Sequence, residues 1–142
     1  MIDEAHAKLD LRYLNADTLG KPLGQYSHIT RVGASEFLFI AGQVAVDKSG
    51  ALVGANDFDA QCVQVFANIE AALSSAGATF HNVVEFTTYL VHSQDIPEFM
   101  KFRLREFPRM FAGGSYPPNT LLVIDRLVGE AFLIEVRTIA AL

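Results

Sequence analysis

The 142-residue sequence has no tryptophan, a single cysteine and no apolar run that approaches the length of a membrane-spanning helix. The lone Cys62 excludes an intramolecular disulfide and a cysteine-rich metal cluster. Charged residues make up only 19% of the chain, and the net charge of −5 argues against a general nucleic-acid binder, which needs a basic surface. The first fourteen residues contain acids and no apolar segment, so we expect no secretory signal. These absences predict a soluble, cytoplasmic protein without membrane or nucleic-acid partners.

The residues that are present predict one folded domain over positions 1–142. Apolar residues account for 51% and aromatic residues for 11%, which is enough to build a core in a chain of this length. Residues 1–23 are weakly patterned and are predicted to form an N-terminal arm. Residues 24–142 show regular apolar patterns and form the predicted core domain.

Two helices are predicted. Apolar residues at spacings of three and four predict the first over residues 57–76, capped by Asn56 or Asp57 and stopped at Gly77. The second begins near Asp95 and is predicted to end at Pro108.

Short runs of β-branched and aromatic residues predict five strands. They lie at residues 28–32, 36–40, 82–91, 120–125 and 132–140. The first two are predicted to pair as a hairpin, and the third, apolar on both faces, to be central. The order β-β-α-β-α-β-β predicts an α+β fold, with a single sheet and both helices on one face.

The sequence gives little support to nucleophilic or metal-dependent chemistry. Cys62 lies on the apolar stripe of the first helix, which predicts a buried small hydrophobe. The histidines show no metal-ligand spacing, so we expect no metal site. They are His6, His28, His81 and His92.

The last predicted strand carries two charges on one face. Glu135 and Arg137 alternate with apolar residues, so both side chains point to the same side of the sheet. One interpretation is an ion pair on an exposed face, and the other is a carboxylate that holds water or substrate in a cleft.

Several segments together resemble the Rid (YjgF) family. Residues 24–28 read GQYSH beside the family's G-P-Y-S-Q, and residues 41–44 read AGQV beside S-G-Q-I. The first helix follows the family's Q…N-I…L…A-G-A pattern, and residues 83–90 resemble its V-V-K-x-T-V-F-L strand. The resemblance covers residues 24–140, with the motifs in the family's order.

This resemblance implies a chorismate-mutase-like α+β fold and a homotrimer with clefts between subunits. The implied activity is hydrolysis of a reactive enamine or imine, such as a 2-aminoacrylate- or aminomuconate-like metabolite, to a carbonyl compound and ammonia. The implied reaction uses a small-molecule substrate and no metal or cofactor. A non-catalytic, metabolite-binding or regulatory trimer is the alternative. Ribonuclease or translation-inhibitor activity, described for other members, is disfavoured by the net charge of −5.

The resemblance also implies roles for individual residues. Tyr26 and Glu135 match family positions, Glu135 to position or deprotonate a water and Tyr26 to hydrogen-bond or stack on the substrate. Backbone groups at Ala41, Gly42 and Thr120 are expected to hold polar substrate atoms.

At two positions the chain departs from the family pattern. Asn119 stands where active deaminases carry the arginine that binds the substrate carboxylate, and Arg103 stands at a helix asparagine. One interpretation is an exchange, in which Arg103 binds an anionic substrate group and Asn119 contacts a carbonyl or amide. The other is that Arg103 is a solvated helix residue beside Arg105 and Arg109, and Asn119 a turn residue.

Overall fold

A computed structural model describes residues 8–142 of the chain. The elements are β1 (Asp10–Leu14), β2 (Ile29–Gly33), β3 (Phe37–Gln43), α1 (Phe58–Ser75), a 3₁₀ turn (Phe80–Asn82), β4 (Val83–Leu90), α2 (Asp95–Met110), β5 (Asn119–Val123) and β6 (Ile134–Ala141). Along this part of the chain, no helix is long and apolar enough to cross a membrane.

The main sheet has four strands in the order β3-β6-β4-β5. β4 is central, as predicted, and runs antiparallel to β6 and parallel to β5. Both helices pack on one face of this sheet, where the alternate side chains of β6 from Ile134 to Ala140 are fully buried. The predicted α+β architecture is therefore confirmed.

Aromatic side chains fill the core between the helices and the sheet. The ring of Phe66 on α1 lies 5.2–6.5 Å from the rings of Phe86, Phe99, Phe102 and Phe107. Such edge-on and tilted contacts add to the burial of large apolar surfaces, so they join both helices to β4.

The helix boundaries follow from local chemistry. Asp57 caps α1 by accepting a hydrogen bond from the amide of Ala60, and Gly77 follows the helix with a φ of 76°. The predicted α1 is thus correct to one residue at each end. α2 passes beyond Pro108 to Met110, so the predicted end is two residues early; a proline removes only one helical donor, and the amide of Phe111 still bonds to Phe107.

The predicted hairpin between residues 28–32 and 36–40, which are β2 and β3 of the structure, is wrong. β2 pairs instead with β1 in a separate two-stranded sheet, and β3 pairs with β6. The small sheet is attached to the start of β4, because Tyr13 and Thr30 donate side-chain hydrogen bonds of 2.6 Å to the carbonyls of Val83 and Val84. Part of the predicted N-terminal arm is thus a paired strand, while residues 1–7, including His6, lie outside the described residues.

Among residues 8–142, no helix lies on the other face of the main sheet. Phe37, Phe39 and Leu122 on this open face are 49%, 72% and 40% exposed. We call this surface the open face; it also carries Glu135 and Arg137.

Candidate functional site

Glu135 lies beside a bulge in the neighbouring strand. Ile40 pairs with Thr138 and Gln43 with Val136, so Ala41 and Gly42 together oppose one residue of β6. A bulge interrupts the ladder and leaves backbone groups of the extra residue without a strand partner.

Gly42 permits the close approach of the Glu135 carboxyl group. A Cβ atom at position 42 would lie 2.3 Å from Glu135 Oε2, which no real contact allows. The absence of a side chain therefore lets the carboxyl group lie directly against the bulge, and the predicted site residues Ala41, Gly42 and Glu135 are brought together.

Glu135 and Arg137 are not an ion-paired couple. Among residues 8–142, neither side chain takes part in an ion pair. Glu135 is half-buried opposite Tyr89, and Arg137 is exposed. The carboxyl group is thus available to a molecule that reaches the open face.

Tyr26 and Arg103 form a second group of predicted site residues. The Tyr26 hydroxyl accepts a hydrogen bond from the amide of Leu23 at 3.1 Å. The Arg103 guanidinium carbon lies 5.9 Å from the centre of the Tyr26 ring and 4.8 Å from that of Phe99. Both rings are close enough for cation–π attraction.

Arg103 is a buried cation. It is 3% exposed, its Nη2 donates to the sulfur of Met100 at 2.9 Å, and its Nε and Nη1 are buried without a hydrogen-bond partner. Burial lowers the pKa of Arg103 to about 10, against an opposing effect of Tyr26, so the side chain is still protonated at neutral pH. The interpretation of Arg103 as a solvated helix residue is therefore wrong, whereas Arg105 and Arg109 are exposed and paired with acids.

A signal for this burial is present in the sequence. Phe99, Phe102, Arg103 and Phe107 follow one another at spacings of three, one and four, which is the apolar stripe of α2. A charged residue inside such a stripe predicts a buried charge.

Asn119 and Thr120 lie on opposite faces of the main sheet. The Oδ1 atom of Asn119 accepts a 2.7 Å hydrogen bond from the hydroxyl of the fully buried Thr88, on the helix-covered side. Thr120 is exposed beside Thr87, on the open face with Glu135. The described contacts connect neither Asn119 nor Arg103 to Glu135.

A cleft of about 540 Å³ was not anticipated from the sequence. It lies between the segment before β2 and the loop that precedes β5. Its lining includes Asn15, Asp17, Lys21, Tyr26, His28 and Ser115. Tyr26 therefore borders this cleft on one side and approaches Arg103 on the other.

The thiol is buried in the core, and His28, which lines the cleft, bonds to the backbone. Cys62 is fully buried in α1, and burial raises the pKa of its thiol. Within residues 8–142, no three His, Cys, Asp or Glu side chains are grouped as metal ligands would be. His28 instead orders the backbone, since its Nδ1 accepts from the amide of Ala16 at 3.1 Å.

Comparison with known proteins gives a consistent result. The family model described as Endoribonuclease L-PSP matches residues 18–142. A RutC family protein of Pyrococcus abyssi is 35% identical over 120 residues, which cover 84% of this chain and 88% of that protein. The RutC family protein YjgH of Escherichia coli is 30% identical over 112 residues, 79% of this chain and 80% of that one.

Solved structures show the same fold. The Rid family protein YyfB of Yersinia pestis, described as of unknown function, superposes with a TM-score of 0.82 at 33% identity, covering 93% of this chain and 98% of that one. RidA of an Antarctic Psychrobacter superposes with a TM-score of 0.61 at 24% identity, covering 92% and 99% of the two chains.

Proposed function

Because the chain belongs to the Rid (YjgF) family, we propose that it hydrolyses a small reactive enamine or imine to a carbonyl compound and ammonia. The observation that carries the proposal is the unpaired Glu135 carboxyl group lying against the bulge at Ala41 and Gly42. A carboxyl group beside a bulge, where the strand ladder is interrupted, is suited to orient a water molecule and a polar substrate.

The proposed reaction is a tautomerisation followed by a hydrolysis, with no change of oxidation state. The enamine takes a proton on carbon and loses one from nitrogen, which gives the imine. Solvent protonates the imine nitrogen, and water attacks the imine carbon: the C–O bond forms, the π electrons of the C=N bond move to nitrogen, and Glu135 accepts a proton from the water. Glu135 then gives this proton to the nitrogen; the C–N bond breaks as the C=O bond forms, ammonia leaves, and the hydroxyl proton returns to solvent. Tyr26 orients the substrate, and backbone groups near Ala41, Gly42 and Thr120 bind its polar atoms.

The proposed active assembly is a homotrimer with the cleft between subunits. The open face exposes Phe37, Phe39 and Leu122 beside Glu135, and large apolar surfaces of this kind are normally covered by a partner. Glu135 and Arg103 lie on different sides of one chain. We therefore propose that the cleft joins Glu135 of one copy to the Arg103 region of the next.

Ribonuclease activity, which the description of the matching family model names, fits this chain less well. Cleavage of RNA requires cationic contacts with the phosphate backbone. The chain has 11 basic and 16 acidic residues. Incubation with single-stranded RNA is therefore expected to leave the RNA intact.

The test is ammonia release from imines generated in place by an amino-acid oxidase, with semicarbazide trapping of the imine as a second readout. Wild-type protein is expected to accelerate release, and Glu135→Gln to lower the rate about 10²–10⁴-fold, the usual contribution of a general base. Glu130→Gln is the matched control, because Glu130 is exposed and pairs only with Arg126. Release at the uncatalysed rate with several chemically distinct imines contradicts the proposal and favours the non-catalytic, metabolite-binding trimer.

A further inference from the structure

Arg103 is a buried cation whose neighbours provide no negative charge. Of the acidic side chains on and beside α2, Glu98 pairs with Lys101, and Asp59 and Glu106 pair with exposed arginines. Asp95 lies in the first turn of the helix, about two turns before Arg103. None of these acids contacts Arg103. Burial of a charge without a counter-charge is costly, and groups perturbed in this way are concentrated at functional sites.

The present partner of the guanidinium is a weak one. Nη2 of Arg103 donates to the Met100 sulfur, and a thioether is a poor hydrogen-bond acceptor. A carboxylate makes a stronger, charge-assisted contact with two parallel bonds. Since such a forked contact would use Nη2 together with the unpartnered Nε or Nη1, an incoming carboxylate replaces the sulfur.

An apolar groove leads to this position. The groove, about 250 Å³, is lined by Leu23, Gly24, Gln25, Met100, Lys101 and Leu104. Met100 and Gly24 line the groove and also lie beside the guanidinium: Met100 accepts a hydrogen bond from it, and a Cβ atom added to Gly24 would lie 2.6 Å from Met100 Cε and 3.5 Å from Arg103 Nη2. Rotation of the flexible Met100 side chain therefore opens the groove to Arg103.

We propose that Arg103 is a carboxylate receptor entered through this groove, and that its ligand is a small carboxylate with an apolar side chain. This inference rests on the proposed function, in which the ligand is the imine substrate or its ketoacid product. The carboxylate binds the guanidinium, and the apolar substituent lies against Leu23 and Leu104, which are 85% and 64% exposed.

The probe is 4-methyl-2-oxopentanoate, whose neutral analogue 4-methyl-2-pentanone lacks the carboxylate. Binding is followed by calorimetry and by the Nε–Hε NMR signal of Arg103 in wild-type protein. The ketoacid is expected to bind and shift this signal, and the ketone to do neither. Arg103→Met is expected to weaken ketoacid binding about 10–100-fold, the loss of a hydrogen bond to a charged group. Arg109→Met, on the same helix but exposed and paired with Glu106, is expected to bind as wild type does.

Thermal unfolding distinguishes a receptor role for Arg103 from a structural role, because the two roles predict opposite changes in the Tm of Arg103→Met. Removing an unpaired buried charge and leaving a side chain of similar length is expected to raise the Tm of Arg103→Met. Arg103→Lys keeps the charge but loses the fork, so it is expected to bind the ketoacid more weakly without the gain in Tm. A lower Tm for Arg103→Met, or ketoacid binding that survives in it, overturns the inference.

The results separate this inference from the proposed function. If wild-type protein binds the ketoacid through Arg103 but releases no ammonia, the carboxylate receptor is supported and the deaminase proposal is refuted. If Arg103→Met turns over anionic imines with an unchanged KM, the deaminase proposal is supported and the receptor is refuted.

Discussion

The two sides of the main sheet differ in what their side chains already contact. On the helix-covered side, Phe66 and the aromatic residues around it are packed against one another. On the open face, Phe39 is 72% exposed and Glu135 has no ion-pair partner among the described residues. The contacts of the covered side therefore account for stability, and the proposed association and chemistry rest on the exposed groups of the open face. Arg103 is the exception, because it is buried on the covered side without the partners that burial normally requires.

The largest expected effect concerns Phe39, the most exposed of the apolar residues named on the open face. A carboxylate at this position would have to be buried if a second copy covers the open face, so Phe39→Asp is expected to produce monomers and abolish ammonia release. Sedimentation velocity at micromolar concentration measures the assembly. Val128→Asp is the control, since Val128 is 81% exposed in a loop outside the main sheet. Monomeric wild-type protein, or a Phe39→Asp variant that assembles normally, contradicts the proposed trimer.

A mixed-oligomer experiment tests whether the two sides meet between copies. Glu135→Gln and Arg103→Met are each expected to impair turnover of a carboxylate-bearing imine. After the two variants are unfolded together and refolded, random mixing places an intact Glu135 against an intact Arg103 at about a quarter of the interfaces. Recovery of about that share of wild-type activity is expected, and variants refolded separately and then combined are the control. Absence of recovery means that both residues act within one copy.

The features predicted best from the sequence are those that depend on residues close together in the chain. The α1 helix is specified by its own apolar spacing and by the Asp57 cap, so its limits are correct to one residue. The pairing of β2 with β1 depends on where Tyr13 and Thr30 reach β4, a tertiary contact that strand propensity does not contain.

In the candidate site, too, some features could be predicted from the sequence and others depend on tertiary structure. The family resemblance assigns Gly42 and Glu135 to one site, and the structure places them side by side. The burial of Arg103 could have been predicted from the apolar stripe that contains Phe99 and Phe102. Strand register decides which of Asn119 and Thr120 faces the helices, and strand propensity does not determine register.

Gly42→Ala tests the role of Glu135 on the open face, and it is expected to leave assembly unchanged. The added methyl group displaces the Glu135 carboxyl group from the bulge, and the side chain can rotate toward the exposed side of the sheet. We expect kcat to fall about 10²-fold, the cost of a misplaced catalytic group, with little change in Tm. Gly33→Ala is the matched control, because a Cβ atom there would have no neighbour within 4 Å. Unchanged kcat in Gly42→Ala contradicts the proposed role of Glu135.

The smallest expected effect lies on the covered side. Cys62 is fully buried and faces the core from α1, where burial raises its thiol pKa and keeps it protonated. Cys62→Ala is expected to lower the free energy of unfolding by about 1 kcal/mol, from a small cavity, and to leave turnover unchanged. Chemical denaturation and the ammonia assay measure the two quantities on the same sample, and a chelator added to wild-type protein is expected to change neither. Lost turnover in a folded Cys62→Ala protein would show that Cys62 takes part in the chemistry, and inhibition by a chelator that added metal reverses would show that a metal does. A change in stability alone assigns Cys62 to the core.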